Sequence, residues 1–130
     1  MLLHISDQSS ETLQEQIIGQ IRARILSGEL APEFSLPSIR SLAKDLKVSV
    51  ITVQRAYDQL LQEQLIYSRR GKGFFVSTLN QGAKTELAQS RFGEQLITAV
   101  AAAKRDGLTA KEIQQIFNEV LQAGDSDATD

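Results

Sequence analysis

The chain reads as mainly α-helical with one small β-hairpin, and three observations in its 130 residues predict this. Apolar residues recur at helical spacing in five stretches, four of them opened by a Ser or Thr placed to cap a helix. Two short apolar runs, Leu65–Tyr67 and Phe74–Val76, flank a basic turn that contains glycine. A polar interval from Ser77 to Lys84 then separates this part from two further amphipathic stripes.

Taken in order, Met1 to Ser10 is a strand fragment or a loose arm. Thr12 and Glu15 have the spacing of a capping box, and Leu13, Ile17, Ile18, Ile21 and Ile25 follow as one apolar face. Gly28 is a natural stop, because glycine tolerates the left-handed conformation at a helix end. Pro32-Glu33 lacks the glycine that a type II turn prefers, so a type I turn is expected there. Pro37 biases Leu36 toward an extended backbone and keeps the loop out of the next helix.

Ser38 then caps a short helix with Ile39, Leu42, Ala43 and Leu46 on one face. Lys47 and Val48 make a tight turn. Ser49 caps a second helix, Val50 to about Gln62, whose apolar face is Val53, Ala56, Tyr57, Leu60 and Leu61. Two short helices so joined form a helix-turn-helix unit, whose second helix suits the DNA major groove. The hairpin directly after it is a wing, and the first helix is expected to pack across the other two.

Charge supports that use. The whole chain has a net charge of −2, which by itself argues weakly against a nucleic-acid partner. Residues 36–80, however, hold Arg40, Lys44, Lys47, Arg55, Arg69, Arg70 and Lys72 against Asp45, Asp58 and Glu63. Both flanks are net acidic. A local basic face matters more for phosphate attraction than the sum over the chain.

The segments QIIGQIRARILSGEL, LPSIRSLAKDLKVS, TVQRAYDQLLQEQLI and RRGKGFFV, between Ile17 and Val76 and just before, resemble the winged-helix domain of the GntR family of bacterial transcription regulators. The short tail resembles that family's YtrA-type subgroup, whose C-terminal part is a pair of helices. The resemblance implies a sequence-specific regulator, a repressor, that controls its own gene and a nearby transporter operon. It also implies DNA contact by Arg40. Two departures stand out: Glu33 replaces a usual glycine, and Val50 replaces an arginine that often follows the capping serine.

The candidate DNA-binding set follows from residue type and place. Ser38 and Arg40 lie on the first helix of the unit. Ser49 and Thr52 lie in the first turn of the second, where side chains and backbone N–H groups can meet phosphates or base edges. Gln54 can pair with adenine, and Arg55 is favoured for phosphate. Arg69, Arg70 and Lys72 supply charge at the wing, where Gly71 and Gly73 permit close approach to the DNA backbone. Tyr57, Phe74 and Phe75 fall on apolar faces and read as core.

Beyond the polar interval, a helix from Glu86 to Arg105 and a second from Thr109 to Gly124 are expected, with Gly107 between them. Thr109 and Glu112 form another capping box. Neither helix can bury its stripe alone. A symmetric second copy is the simplest partner, so Phe92, Leu96, Val100, Ile113, Ile116, Phe117, Val120 and Leu121 are assigned to a homodimer seam. A ligand pocket here is the lesser reading, because the segment is short, and no small-molecule effector is required. The expected organisation is a winged helix-turn-helix domain over 1–78, a two-helix dimerisation segment over 79–124, and a disordered acidic tail over 125–130.

Other classes find little support. The chain has no cysteine and a single histidine, His4, so neither a thiolate metal site nor a histidine cluster or triad can be assembled. No catalytic residue, metal or cofactor is expected. No apolar run approaches the ~18 residues of a membrane span, and no secretory signal is evident; the cytoplasm is the default. The alternative function is a protein-interaction winged helix that does not bind DNA directly.

Overall fold

The computed structural model describes residues 1–128. Its elements run α1 (Leu13–Leu26), α2 (Ile39–Leu46), α3 (Val50–Gln62), β1 (Ile66–Arg69), β2 (Gly73–Val76), α4 (Gln81–Arg105) and α5 (Ala110–Ala128). They divide into two compact units, Met1–Lys84 and a second that begins at Thr85.

In the first unit each helix starts where its cap dictates. Thr12 accepts from the Glu15 N–H while the Glu15 carboxylate accepts from the Thr12 N–H, a complete capping box on α1. Ile17, Ile21 and Ile25 recur one turn apart and are essentially removed from water against α3. Burial of such a side chain stabilises the fold by roughly 1.5–3 kcal/mol. From α3, Val53, Ala56, Tyr57 and Leu60 complete the same core. The Tyr57 hydroxyl donates to the Pro37 carbonyl at 2.6 Å, and its ring meets Phe74 edge-on at 5.0 Å. Burial pushes the Tyr57 phenol far above its ordinary range, so it stays protonated and donates at every physiological pH.

A part-buried ion pair links the same two helices. Arg22 of α1 donates to both carboxylate oxygens of Glu63, at 2.8 and 2.6 Å, and the Gln59 amide donates to Glu63 at 2.8 Å. Glu63 is the C-cap of α3, so this fork ties α1 to the far end of that helix.

The N-terminal residues are neither loose nor part of a sheet. Leu3 is buried. Gln20 accepts from the His4 N–H at 2.9 Å and donates back to the His4 carbonyl. Gln16 does the same for Ser6, accepting and donating at 2.8 Å. Two glutamine amides, one turn apart on α1, thus take the place of a neighbouring strand.

The segment expected to be a plain loop before α2 joins the wing. Glu33 N–H donates to Val76 carbonyl, Leu36 N–H to Phe74 carbonyl, and Val76 N–H to Phe34 carbonyl, all at 2.8–2.9 Å. Ser35 bridges Phe75 antiparallel. The β1–β2 pair is antiparallel with Tyr67 opposite Phe75 and Arg69 opposite Gly73. The strands therefore reach further toward the tip than expected, and Ser68 and Arg69 belong to β1.

The type I turn expected at Pro32-Glu33 does not form. Glu33 takes φ 69, and the Phe34 N–H donates to the Ala31 carbonyl at 3.1 Å, the signature of a type II turn. Long-range bonds outweigh the local preference. The Glu33 carboxylate accepts from the hydroxyls of Tyr67 and Thr78, while its N–H is held by Val76.

Helix α4 begins at Gln81, five residues before the expected Glu86, because Asn80 caps it by accepting from the Ala83 N–H at 2.7 Å. The expected linker is shortened to the residues before Asn80. Gly107, at φ 94, ends α4, with Leu108 N–H donating to Ala103 carbonyl. Thr109 and Glu112 form the expected capping box on α5. Gly124 does not stop α5, which continues to Ala128. A glycine ends a helix only when it turns left-handed, and Gly124 keeps negative φ at a cost of about 1 kcal/mol relative to alanine. Thr129 and Asp130, in the tail expected to be disordered, lie outside the described residues.

Candidate nucleic-acid interface

The geometry starts at the turn between α2 and α3. Lys47 ends α2 in the left-handed conformation at φ 58, and Val48 N–H donates to the Ala43 carbonyl at 3.0 Å. This reversal sends α3 away from α2 within three residues. Ser38 caps α2 by accepting from the Ser41 N–H at 3.1 Å, and Ser49 caps α3 by accepting from the Thr52 N–H at 3.1 Å. The Ser49 and Thr52 hydroxyls also bond each other at 2.7 Å. The first turn of α3 is thus closed on itself by its hydroxyls.

Ser38, Arg40, Ser49, Gln54 and Arg55 are exposed, and Thr52 is half-buried. Among the described residues the ion pairs are Arg22–Glu63 and Arg24–Glu29. Arg40, Arg55, Arg70 and Lys72 take part in neither, so their charge faces solvent uncompensated at contact distance. The N–H groups at the start of α3 add the positive end of a helix dipole to that surface.

The wing is built to present its tip. Lys72 N–H donates to the Arg69 carbonyl at 2.9 Å, closing a turn over Arg70 and Gly71. Gly71 has φ 76 and Gly73 φ 104, conformations that cost a side-chain-bearing residue sterically. Arg70, Gly71 and Lys72 are exposed at this tip. Arg69 differs from its neighbours, because its guanidinium lies 5.5 Å from the Phe75 ring centroid and 6.0 Å from that of Tyr67. It stacks on the wing's aromatic face. Below it, hydrogen bonds from Tyr67 and Thr78 hold the Glu33 carboxyl under its ordinary range, and the same bond raises the Tyr67 phenol. A carboxylate that accepts two hydroxyl bonds anchors the base of the hairpin.

Several parts of this surface were not assigned to DNA contact or to the wing from sequence. Lys44 and Lys47 are exposed on α2 and its cap, and only the regional charge surplus pointed to them. Glu33, Tyr67 and Thr78 had no local signal, since they are 34 and 45 residues apart in pairs. Val50 and Ile51 stand exposed at the start of α3.

The residues assigned to the dimer seam lie in the second unit. Phe92, Ile116, Phe117, Val120 and Leu121 are exposed large hydrophobics, while Leu96, Val100 and Ile113 are half-buried. Leu96, Val100, Ile113 and Phe117 line a shallow groove of about 290 Å³ between α4 and α5. No residue of α4 is buried, so this stripe remains open to water in the single chain.

Comparison with known proteins agrees with this geometry. The family model of the bacterial regulatory proteins, gntR family, matches residues 13–76. The HTH-type transcriptional repressor YtrA of Bacillus subtilis is 31% identical over 122 residues, covering 92% of each chain. The HTH-type regulator YhcF of the same organism is 32% identical and matches 90% of this chain and 96% of its own. Among solved structures, YtrA from Sulfolobus acidocaldarius, described as a GntR-family transcription factor, is 28% identical with a TM-score of 0.56, covering 93% of this chain and 97% of its own. With the winged helix-turn-helix in place and full-length relatives matched along nearly their whole extent, the chain belongs to the gntR family of bacterial regulatory proteins.

Proposed function

We propose that this chain is a cytoplasmic transcriptional repressor that binds duplex DNA as a homodimer. The observation that carries the reading is the set of exposed basic side chains on α2, α3 and the wing tip. Arg40, Arg55, Arg70 and Lys72 are free of ion pairs among the described residues, as cations meant for phosphate are. In this reading α3 enters the major groove, with Ser49, Thr52 and Gln54 at its reading end and Ser38 and Arg40 beside it. The wing tip, Arg70 to Gly73, meets the adjacent backbone or minor groove, with Arg69 stacked behind it.

The exposed stripe of α4 and α5 supports the dimer. Large hydrophobics such as Ile116, at 47% exposure, and Val120, at 66%, are stabilised by a second copy that buries the same surface. A two-fold dimer reads an inverted repeat, with two half-sites facing one another. The repressor role rests on the name of one full-length relative, YtrA of Bacillus subtilis, and control of a nearby transporter operon rests on the family resemblance alone.

Salt separates DNA binding from docking on a protein. Affinity of the full chain for the DNA upstream of its own gene is expected to fall steeply with salt, by counterion release. Arg40→Ala and Arg70→Ala each weaken binding and lower the magnitude of the log–log salt slope by about one. Binding that is unchanged in both variants would overturn the DNA reading in favour of a protein-docking module.

A further inference from the structure

Among the large hydrophobics of α1, α2 and α3, Val50 and Ile51 are the two left exposed, at 45% and 59%. They are the first two residues of α3. Nothing in local physics favours them there. β-Branched side chains lose rotamer freedom in a helix, and each exposed apolar side chain forgoes burial. The polar groups beside them are already engaged, since the Ser49 and Thr52 hydroxyls bond each other at 2.7 Å. The first turn carries no acidic residue, and its N–H groups and the flanking bases make its surroundings electropositive. Gln54 is exposed one turn further on, at i+4 from Val50 and i+3 from Ile51, hence on the same face.

The major groove of DNA offers one apolar group in its donor–acceptor pattern, the C5 methyl of thymine. We infer that Val50 and Ile51 are specificity residues that read thymine methyls, with Gln54 pairing to an adjacent adenine, so that each half-site centres on A·T pairs. This rests on the proposed DNA-binding reading and names what that surface recognises. The electropositive setting selects DNA over an apolar protein partner.

The test uses the full chain and duplexes selected from a random-sequence library. Each thymine of the selected half-site is replaced in turn by uracil, which removes only the methyl group. At one or two positions the loss is expected to weaken binding about three- to fivefold, the effect of one buried methyl. In Val50→Ala/Ile51→Ala the same thymine and uracil duplexes are expected to bind equally. Its retained salt-dependent affinity for unselected DNA verifies that the variant is folded. Binding that is insensitive to every methyl, or sensitivity that persists in the double variant, would overturn the thymine assignment and leave DNA binding intact. Failure to select any duplex would overturn the DNA reading itself, and this inference with it.

Discussion

The two units of this chain use the same amphipathic pattern to opposite ends. Every buried hydrophobic among the described residues lies between Leu3 and Val76. In that stretch three helices and a hairpin close around one core. The second unit has stripes of similar spacing but only two helices, and none of its α4 residues is buried. Periodicity thus tells which face is apolar and not what covers it. The number of elements decides that, because two helices have one seam and each stripe is wider than a seam.

The contrast can be broken most forcefully in the first core. Leu60 is fully buried on α3, so Leu60→Ala is expected to destabilise the first unit by about 2–5 kcal/mol, read as a shifted denaturation midpoint. The mirror-image change in the second unit is predicted to act on association instead. Ile116→Ser, at a 47% exposed position, should weaken the dimer by roughly tenfold or more in sedimentation. The midpoint of the first unit should stay within about 0.5 kcal/mol of the parent. Should Ile116→Ser leave self-association unchanged, the assignment of that stripe to a seam fails.

The smallest effect concerns the base of the wing. The Glu33 carboxyl is held below its ordinary value of 4.5 by the Tyr67 and Thr78 hydroxyls. A lowered folded value means that the anchoring is fully present above that ordinary value. It is lost as pH falls through the lowered one. The protection factor of the Val76-paired N–H of Glu33, its exchange rate corrected for the intrinsic pH dependence, should therefore fall in acid, and Glu33→Gln should abolish that fall. An unchanged profile in the variant would assign the anchoring to the backbone bonds alone.

These outcomes also mark how far the sequence could be read. The caps at Thr12, Ser38 and Ser49 were legible because each satisfies an N–H three residues further on. The glycines of the wing were legible for the same local reason. The bridge at Ser35 was not, since a single bridge leaves no alternating pattern to detect. Nor was the turn at Glu33, where partners far along the chain override the local preference for negative φ. Gln16 and Gln20 have the composition of a solvated face, yet both hold the N-terminal backbone. The candidate surface was legible in its charges, from the clustering of Arg and Lys over residues 36–80. Its exposed apolar pair was noticed only as a departure from the family at Val50.

The fork between Arg22 and Glu63 has a mechanical consequence for that surface. An α-helix turns about 100° per residue, so a small roll of α3 about its axis would present a different set of side chains outward. A planar guanidinium that grips both oxygens of one carboxylate resists such a roll in a way that a single bond does not. The grip is at the C-cap of α3, and the proposed reading end is at the first turn. The helix is clamped like a key held by its bow, its angular setting fixed from the end opposite the proposed reading face.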